Sequence, residues 1–227
     1  MKLLALDTST QIASIALISQ DEIIERQQVG PGQHAQVILT IIDQLLAQAS
    51  LSIGQLDGIV LGRGPGSFTG LRIACSIAQG LAYPYDLPIF PVSSLATLAY
   101  ELKLKQPGED FSILALIDAR MQQVYWAYYD SFSLVGVSEH VSAAKDIDIS
   151  PNLPLQLVGI NYQPYFAELP SLIQTQISSQ QEISVSASTM LRLVKAQKIT
   201  PITAAQALPT YIRNQVAHLP SSLGETK

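Results

Sequence analysis

Apolar positions in this chain come in short runs separated by turn residues, and the spacing within each run separates strands from helices. Residues 2–6 predict a short buried strand that ends at Asp7. After a turn at residues 8–11, Ile12–Ser19 sets Ile12, Ser14 and Ala16 against Ala13, Ile15 and Leu17, the two-residue period of a strand. Glu22–Val29 predicts a third strand of the same meander, broken at Pro31-Gly32. From residue 34 to residue 49 the period lengthens. Ala35, Ile38, Leu39, Ile42, Leu45, Leu46 and Ala49 share one wide helical face, Ile41 widens it, and Gln36, Thr40, Asp43, Gln44 and Gln48 lie opposite. A stripe that wide can serve a sheet on one side and something else on the other.

The sharpest change of pattern lies between residues 56 and 82. Residues 56–61 have the length and composition of a buried strand, and residues 71–82 carry a single charge, Arg72. As a helix the latter is apolar nearly all round and has to be covered on several sides. Between them Gly62, Gly64, Pro65, Gly66 and Gly70 fall within nine residues. A glycine-rich turn between strand and helix points backbone N–H groups at whatever lies above the helix N-terminus: a phosphate, another part of the chain, or another protein. Gly70, Ala74, Ala78 and Ala82 also recur at every fourth position. That stripe of small side chains admits close packing either on the chain's own sheet or on a helix of a second subunit, and both readings stand.

Further on, residues 87–92 predict a strand and residues 94–102 a helix capped by Ser93 or Ser94. The polar stretch KLKQPGED, residues 103–110, is the best candidate for a boundary between lobes. Beyond it the chain repeats its opening. Residues 112–117 are an apolar strand ending at Asp118, and after a turn Val124–Tyr129 forms a second strand whose Tyr125, Trp126, Tyr128 and Tyr129 pack the second lobe. Residues 155–159 read as a buried strand, 163–168 and 203–207 as short helices, and 187–197 as a helix capped by Ser186. Strand, aspartate, tight turn and strand thus recur at positions 7 and 118. Two α/β lobes related by pseudo-two-fold symmetry would turn both hairpins toward a central cleft. There Thr8, Ser9 and Thr10 with nearby backbone N–H groups can hold phosphate, and Asp7 and Asp118 a metal ion through water.

Composition narrows the partners. The 227 residues are 48% hydrophobic and only 14% charged, with a mean hydropathy of +0.25, so either the core is large or apolar surface meets partners. A net charge of −5, with thirteen scattered basic residues, does not suit a stand-alone nucleic-acid binder. The single cysteine, Cys75, excludes an intramolecular disulfide and reads as a small buried hydrophobe of a reducing compartment. Asp7 interrupts the N-terminal apolar run, and no window of about 18 apolar residues suggests a transmembrane helix. A cytoplasmic protein is expected.

Four segments together resemble the TsaB (YeaZ) family: DTST after the first strand, GRGPGSFTGLRI, IDARMQQVYWAYY opening the second lobe, and PTYIRNQVA near the end. They lie in the family's order over most of the chain, and GRGPGSFTGLRI is the most specific. The resemblance implies the two-lobed actin-like ATPase (ASKHA) fold of sugar kinases, Hsp70 and actin. With the boundary at KLKQPGED, one lobe is expected at residues 1–104, completed by 186–227, and a smaller one at 105–185. The resemblance implies a role in forming threonylcarbamoyladenosine at position 37 of ANN-decoding tRNAs, as the non-catalytic partner of the paralogue TsaD together with the ATPase TsaE. It further implies a homodimer when alone, pairing with TsaD through helices 34–49 and 71–82, and only indirect contact with tRNA. His34, Ile38, Ile41, Leu45, Arg72, Ala74, Cys75 and Ala78 are the expected interface residues. Arg213-Asn214 matches the family's terminal motif without a physical role that the sequence reveals.

The residues themselves favour a partner over a catalyst. Actin-like ATPases usually have Asp-x-Gly at the second-lobe turn; here Asp118-Ala119-Arg120 stands in its place. The candidate adenosine loop keeps one glycine, Gly159. Asp7, Ser9, Thr10 and Asp118 are therefore expected to form a degenerate nucleotide cleft, with ATP or ADP held only in an assembled complex and no cofactor of the chain's own. The His-x-x-x-His pair that ligates metal in TsaD is missing, and His34, His140 and His218 are far apart, so neither a metal site nor a catalytic residue is expected. The glycine run fails as a P-loop for want of the lysine, as a dinucleotide fingerprint because Thr69 follows at the wrong place, and as a nucleophile elbow because Phe68 holds the centre. An independent actin-like ATPase or small-molecule kinase using Asp7 and Asp118 is the alternative, with a peptidase a distant third.

Overall fold

The structure, a computed structural model, describes residues 1–30, 34–130 and 133–213. Pro31-Gly32, Asn214 and the rest of the expected C-terminal completion up to residue 227 lie outside the described residues, as does the side chain of His34.

The hairpin predicted at the N-terminus forms where its alternation places it. β1 (Leu3–Asp7) pairs antiparallel with β2 (Ile12–Ser19), and β2 with β3 (Glu22–Val29). Helix α1 (His34–Gln48) leads to β4 (Gly58–Gly64), α2 (Phe68–Ala82), β5 (Ile89–Ser93) and α3 (Ser94–Lys105). β4 lies parallel to β1, and β5 parallel to β4. The second half runs β6 (Ser112–Asp118), β7 (Val124–Tyr129), β8 (His140–Ser142), β9 (Leu155–Ile160), α4 (Gln163–Phe166), α5 (Ser171–Gln176), β10 (Ile177–Glu182) and α6 (Ala187–Ala196).

The repeat seen in the sequence is a repeat of topology. The first sheet has the order β3-β2-β1-β4-β5 and the second, read in the same sense, β8-β7-β6-β9-β10. In each, the first two pairings are antiparallel and the last two parallel. Two such mixed sheets with helices packed between and outside them form the actin-like ATPase fold. α3 and α6 fill the space between the sheets: Leu95, Leu98, Leu102, Met190 and Leu191 share one core cluster with Leu3, Val60, Ile113 and Val158. α1 and α2 cover the outer face of the first sheet, and Tyr162, Leu169 and Ile173 cover that of the second. α6 is held on the first lobe by Glu25. Its Oε1 accepts from Ser14 Oγ at 2.7 Å, Ser186 Oγ at 2.9 Å and the Ser188 N–H at 3.2 Å. Burial raises the Glu25 carboxyl, and these three donors outweigh it and hold the group below the usual range.

Several boundaries differ from those the residue pattern predicts, each for a physical reason. The strand expected at 56–61 starts at Gly58, where pairing with Leu3 begins, and continues through Gly64, because Gly62 and Gly64 pair with Val92 and Ser93. Much of the glycine-rich run is therefore sheet. α2 begins at Phe68 rather than 71, since Ser67 caps it by accepting the Gly70 N–H at 3.3 Å. α3 runs on to Lys105, with Lys103 and Lys105 at its carbonyl end. β8, α5 and β10 leave no mark in the pattern. β10 in particular, ISSQQE, is an edge strand paired on one side only and carries no apolar run. No helix among the described residues is long and apolar enough to cross a membrane.

Candidate functional site

The two hairpin turns and the glycine-rich run meet at one end of the sheets, with the first turn buried beneath the glycines. Asp7 ends β1 and is fully buried. Its Oδ1 accepts from the Ser9 N–H at 2.9 Å and the Ser9 hydroxyl at 2.8 Å, while Oδ2 has no partner. Burial pushes the carboxyl up to about 6, against the opposing pull of the Ser9 bonds. The parallel register explains what covers it. Leu6 lies level with Leu61, so Asp7 lies level with Gly62, and a Cβ on Gly62 would overlap Asp7 Oδ2.

Gly66 and Gly70 repeat this approach. A Cβ on Gly66 would overlap Ser9, and one on Gly70 would overlap the Thr8 carbonyl. The chain closes those gaps with hydrogen bonds: Ser67 N–H donates to Ser9 O at 2.7 Å and Thr8 Oγ1 to Gly70 O at 2.6 Å. Gly62, Gly66 and Gly70 are thus required because the backbone lies directly against the Asp7–Ser9 turn. The Ser9 hydroxyl also receives the Ser94 hydroxyl at 3.0 Å, and Thr10 Oγ1 exchanges bonds with Ile12 O and N at 3.1 and 3.2 Å. Asp7, Thr8 and Ser9 thus lie directly against Gly62, Gly70 and Gly66, and Thr10 is tied to Ile12. The Thr8–Ser9 turn is bonded to Ser67 and Gly70 at the start of α2.

The second turn is open. Asp118 lines a cleft of about 410 Å³ with Gln11, Arg120, Asn161, Gln163 and Tyr165. Here Ile117 lies level with Ile160, so the position equivalent to Gly62 is Asn161, and the carboxylate, its side chain 14% exposed, is covered by Arg120 and Tyr165 rather than by backbone. Asp118 Oδ1 accepts from the Arg120 N–H at 2.7 Å and the Tyr165 hydroxyl at 2.7 Å, and Oδ2 lies 3.5 Å from the Arg120 guanidinium. The Asp118 hydrogen bond, with burial adding to it, pushes the Tyr165 phenol up to about 12. Arg120, Met121 and Gln122 all have φ near +60° (63°, 53° and 57°). Left-handed backbone costs a side-chain-bearing residue about 1–2 kcal/mol, which is the reason glycine is usual at such a turn.

The expected interface residues divide between buried and exposed positions. Ile38, Ile41, Leu45, Ala74, Cys75 and Ala78 are buried inside the first lobe, because α1 and α2 turn those faces onto the sheet. The small-residue stripe Gly70, Ala74, Ala78, Ala82 seats α2 on β4 and β1. Cys75 is the buried hydrophobe its neighbours suggested, and burial pushes its thiol up to about 11. Arg72 is exposed; its guanidinium lies 3.9 Å over the Phe68 ring and its Nε donates to Tyr211 Oη at 3.1 Å. The uncovered sides carry Leu39, 46% exposed, and Ser76, with Ile73 and Ile77 half-buried at the edge of the core.

Two links between the lobes have no counterpart in the sequence pattern. Arg63, within the glycine run, makes a bidentate pair with Glu139 at 3.0 and 2.9 Å. Arg213 donates to Gln123 Oε1 at 2.6 Å and to Arg120 O at 3.5 Å. Neither partner has a local pattern that marks it, since both contacts join residues more than 75 positions apart.

A family model described as TsaD: tRNA N6-adenosine threonylcarbamoyltransferase matches residues 17–148. The crystal structure of YeaZ from Pseudomonas aeruginosa superposes with a TM-score of 0.79 at 32% identity, covering 92% of this chain and 99% of that one. The chain belongs to the TsaB (YeaZ) family. Another Pseudomonas aeruginosa structure, described as an uncharacterized protein with similarity to peptidase YEAZ, has a TM-score of 0.82 at 33% identity over 93% of this chain and 99% of that one. The tRNA threonylcarbamoyladenosine biosynthesis protein TsaB of Haemophilus influenzae is 42% identical over 127 residues, 56% of this chain and 53% of that protein. Its Escherichia coli namesake is 41% identical over 129 residues, 57% and 55%. The chain spans about half the length of these curated relatives that it matches.

Proposed function

We propose that the chain acts in tRNA threonylcarbamoyladenosine biosynthesis as a non-catalytic subunit that supports a catalytic TsaD-type paralogue, in company with a TsaE-type ATPase. The names of the relatives supply the pathway. The observation that carries the non-catalytic reading is Asp7. It keeps the position of the catalytic-cleft aspartate of this fold, but Gly62, Gly66 and Gly70 close directly over it and its turn. Asp118 is engaged by Arg120 and Tyr165, so neither carboxylate is left poised for phosphate chemistry. Docking through α1 and α2 uses the sides of these helices that the sheet leaves uncovered, which carry the exposed Leu39 and Ser76 and the half-buried Ile73 and Ile77. Nucleotide, if the assembly holds it, is shared with the partner.

Co-purification with the TsaD-type paralogue of the same organism, with tRNA modification read by mass spectrometry of digested nucleosides, tests this. Ile73→Glu and Ser76→Arg change exposed or half-exposed positions and leave the sheet-facing stripe intact. Both are expected to abolish the complex and the modification while the chain remains folded by circular dichroism. Retained pairing and modification would remove the helix surface from the reading. Turnover of Mg-ATP by the chain alone, lost on Asp7→Ala, would replace it with the independent ATPase.

A further inference from the structure

The second-lobe turn is held in an unfavourable shape by a residue from the far end of the chain. Arg120, Met121 and Gln122 are consecutive left-handed residues, and none is glycine. Local bonds help: Ala119 N–H donates to Gln123 O at 2.9 Å, and Gln123 N–H to Arg120 O at 3.0 Å. Asp118 Oδ1 accepts the Arg120 N–H at 2.7 Å as well, and a further hold comes from Arg213, whose guanidinium reaches Gln123 Oε1 at 2.6 Å, Arg120 O at 3.5 Å and Met121 Sδ at 3.3 Å. The segment leading to Arg213 is tied to the first lobe. Gln79 Nε2 donates to Ala207 O at 3.1 Å and Thr210 N–H to Arg63 O at 3.3 Å. Tyr211 stacks on Phe68 at 5.2 Å between ring centres and accepts from Arg72.

We infer that residues 207–213 form a latch, fastened to the glycine run and α2 at one end and clamping the second-lobe turn at the other. The latch keeps residues 120–122 left-handed and so keeps the Arg120 guanidinium beside Asp118 in the cleft. When Arg213 lets go, the local bonds alone oppose the backbone preference, and the turn relaxes. The Arg120 guanidinium then leaves Asp118, whose carboxylate keeps the Tyr165 hydroxyl but loses its cation. The Arg63–Glu139 pair is a separate tie between the lobes, so release loosens the turn without parting the lobes. The device couples the exposed end of α2, through Phe68, Arg72 and Tyr211, to the chemistry of the opposite lobe.

Hydrogen exchange of the full chain, followed by mass spectrometry at fixed pH, reads the latch directly. Arg213→Gln is expected to speed exchange of the Ala119 and Gln123 amides about ten-fold or more, with residues 113–117 of β6 unchanged. Tyr211→Ala moves the same amides in the same direction by less. Adding Gln122→Gly to Arg213→Gln is expected to restore protection toward the parent level, because glycine holds a left-handed φ at no steric cost. Exchange at Ala119 and Gln123 within about two-fold of the parent in Arg213→Gln would overturn the latch. So would a loss of protection spread evenly through β6 and β7, which marks general destabilisation, or a failure of Gln122→Gly to restore any protection.

Discussion

Asp7 and Asp118 stand at the same place in the same topology, the last residue of the central strand of each sheet, before a turn into an antiparallel partner. Their surroundings are opposite. Asp7 is buried with one oxygen unpaired, under a strand-to-helix run whose glycines let backbone touch it. Asp118 faces an open cleft with both oxygens engaged, one by a tyrosine and an amide, the other near a guanidinium. One residue per lobe accounts for much of this: Gly62 in the first, Asn161 in the second. Duplicated topology preserves where a carboxylate sits, and the side chain one strand away decides whether anything can reach it.

The largest test of that contrast changes the covering residue in each lobe. Gly62→Ala and Gly70→Ala are each expected to cost about 3 kcal/mol or more in urea denaturation, because the new methyl meets a buried carboxylate or a backbone carbonyl. Asn161→Ala, at the equivalent level of the second sheet, is expected to cost about 1 kcal/mol, the penalty of a left-handed φ of 51° without the asparagine amide. Equal losses in the two lobes would erase the distinction.

Asp7→Asn comes next, and its sign reverses intuition. A carboxyl raised from 3.8 to about 6 by folding binds its proton more tightly in the native state. Its contribution is therefore fully present below pH 4 and is lost as pH rises through 6. A neutral amide escapes that loss, so Asp7→Asn is expected to be more stable than the parent by up to about 3 kcal/mol at pH 8, with the gain fading toward pH 4. Chemical denaturation at several pH values measures it; a pH-independent difference would mean that Asp7 is not a buried, half-satisfied acid.

Arg63→Ala asks whether the glycine run also holds the lobes together. Glu139 has an 8% exposed side chain and would be left without its cation, so a cost of about 2 kcal/mol is expected, discounted for the 27% exposure of Arg63. The smallest effect belongs to Asp118→Asn. Tyr165 loses its carboxylate partner, and its phenol is expected to fall from about 12 toward 10, read by ultraviolet titration, with little change in stability. An unmoved Tyr165 would place Asp118 outside the arrangement that closes the second turn.

Much of this architecture is legible in the residue pattern. The alternation of β2, the wide stripe of α1, the uncharged α2 and the strand–Asp–turn recurrence at 7 and 118 all mark elements that the structure contains. Short polar elements such as β10 escape it because an edge strand needs no apolar face. The candidate site is legible only as residue types. Asp7, Ser9 and Asp118 stand out in the sequence, but Gln11, Asn161 and Tyr165 line the cleft through turns and register that no spacing reveals. The α1 and α2 stripes are visible too, and periodicity alone does not say whether they face a sheet or a partner.

By itself, then, the sequence determined the two-lobed repeat, the family motifs and a glycine-rich turn between strand and helix, because these follow from local periodicity and backbone freedom. Tertiary structure decided what the glycines approach, which helix faces stay outside, and that Arg63 and Arg213 bind the lobes. Those outcomes rest on strand register and on contacts between residues far apart in the chain, whose partners share no local signature.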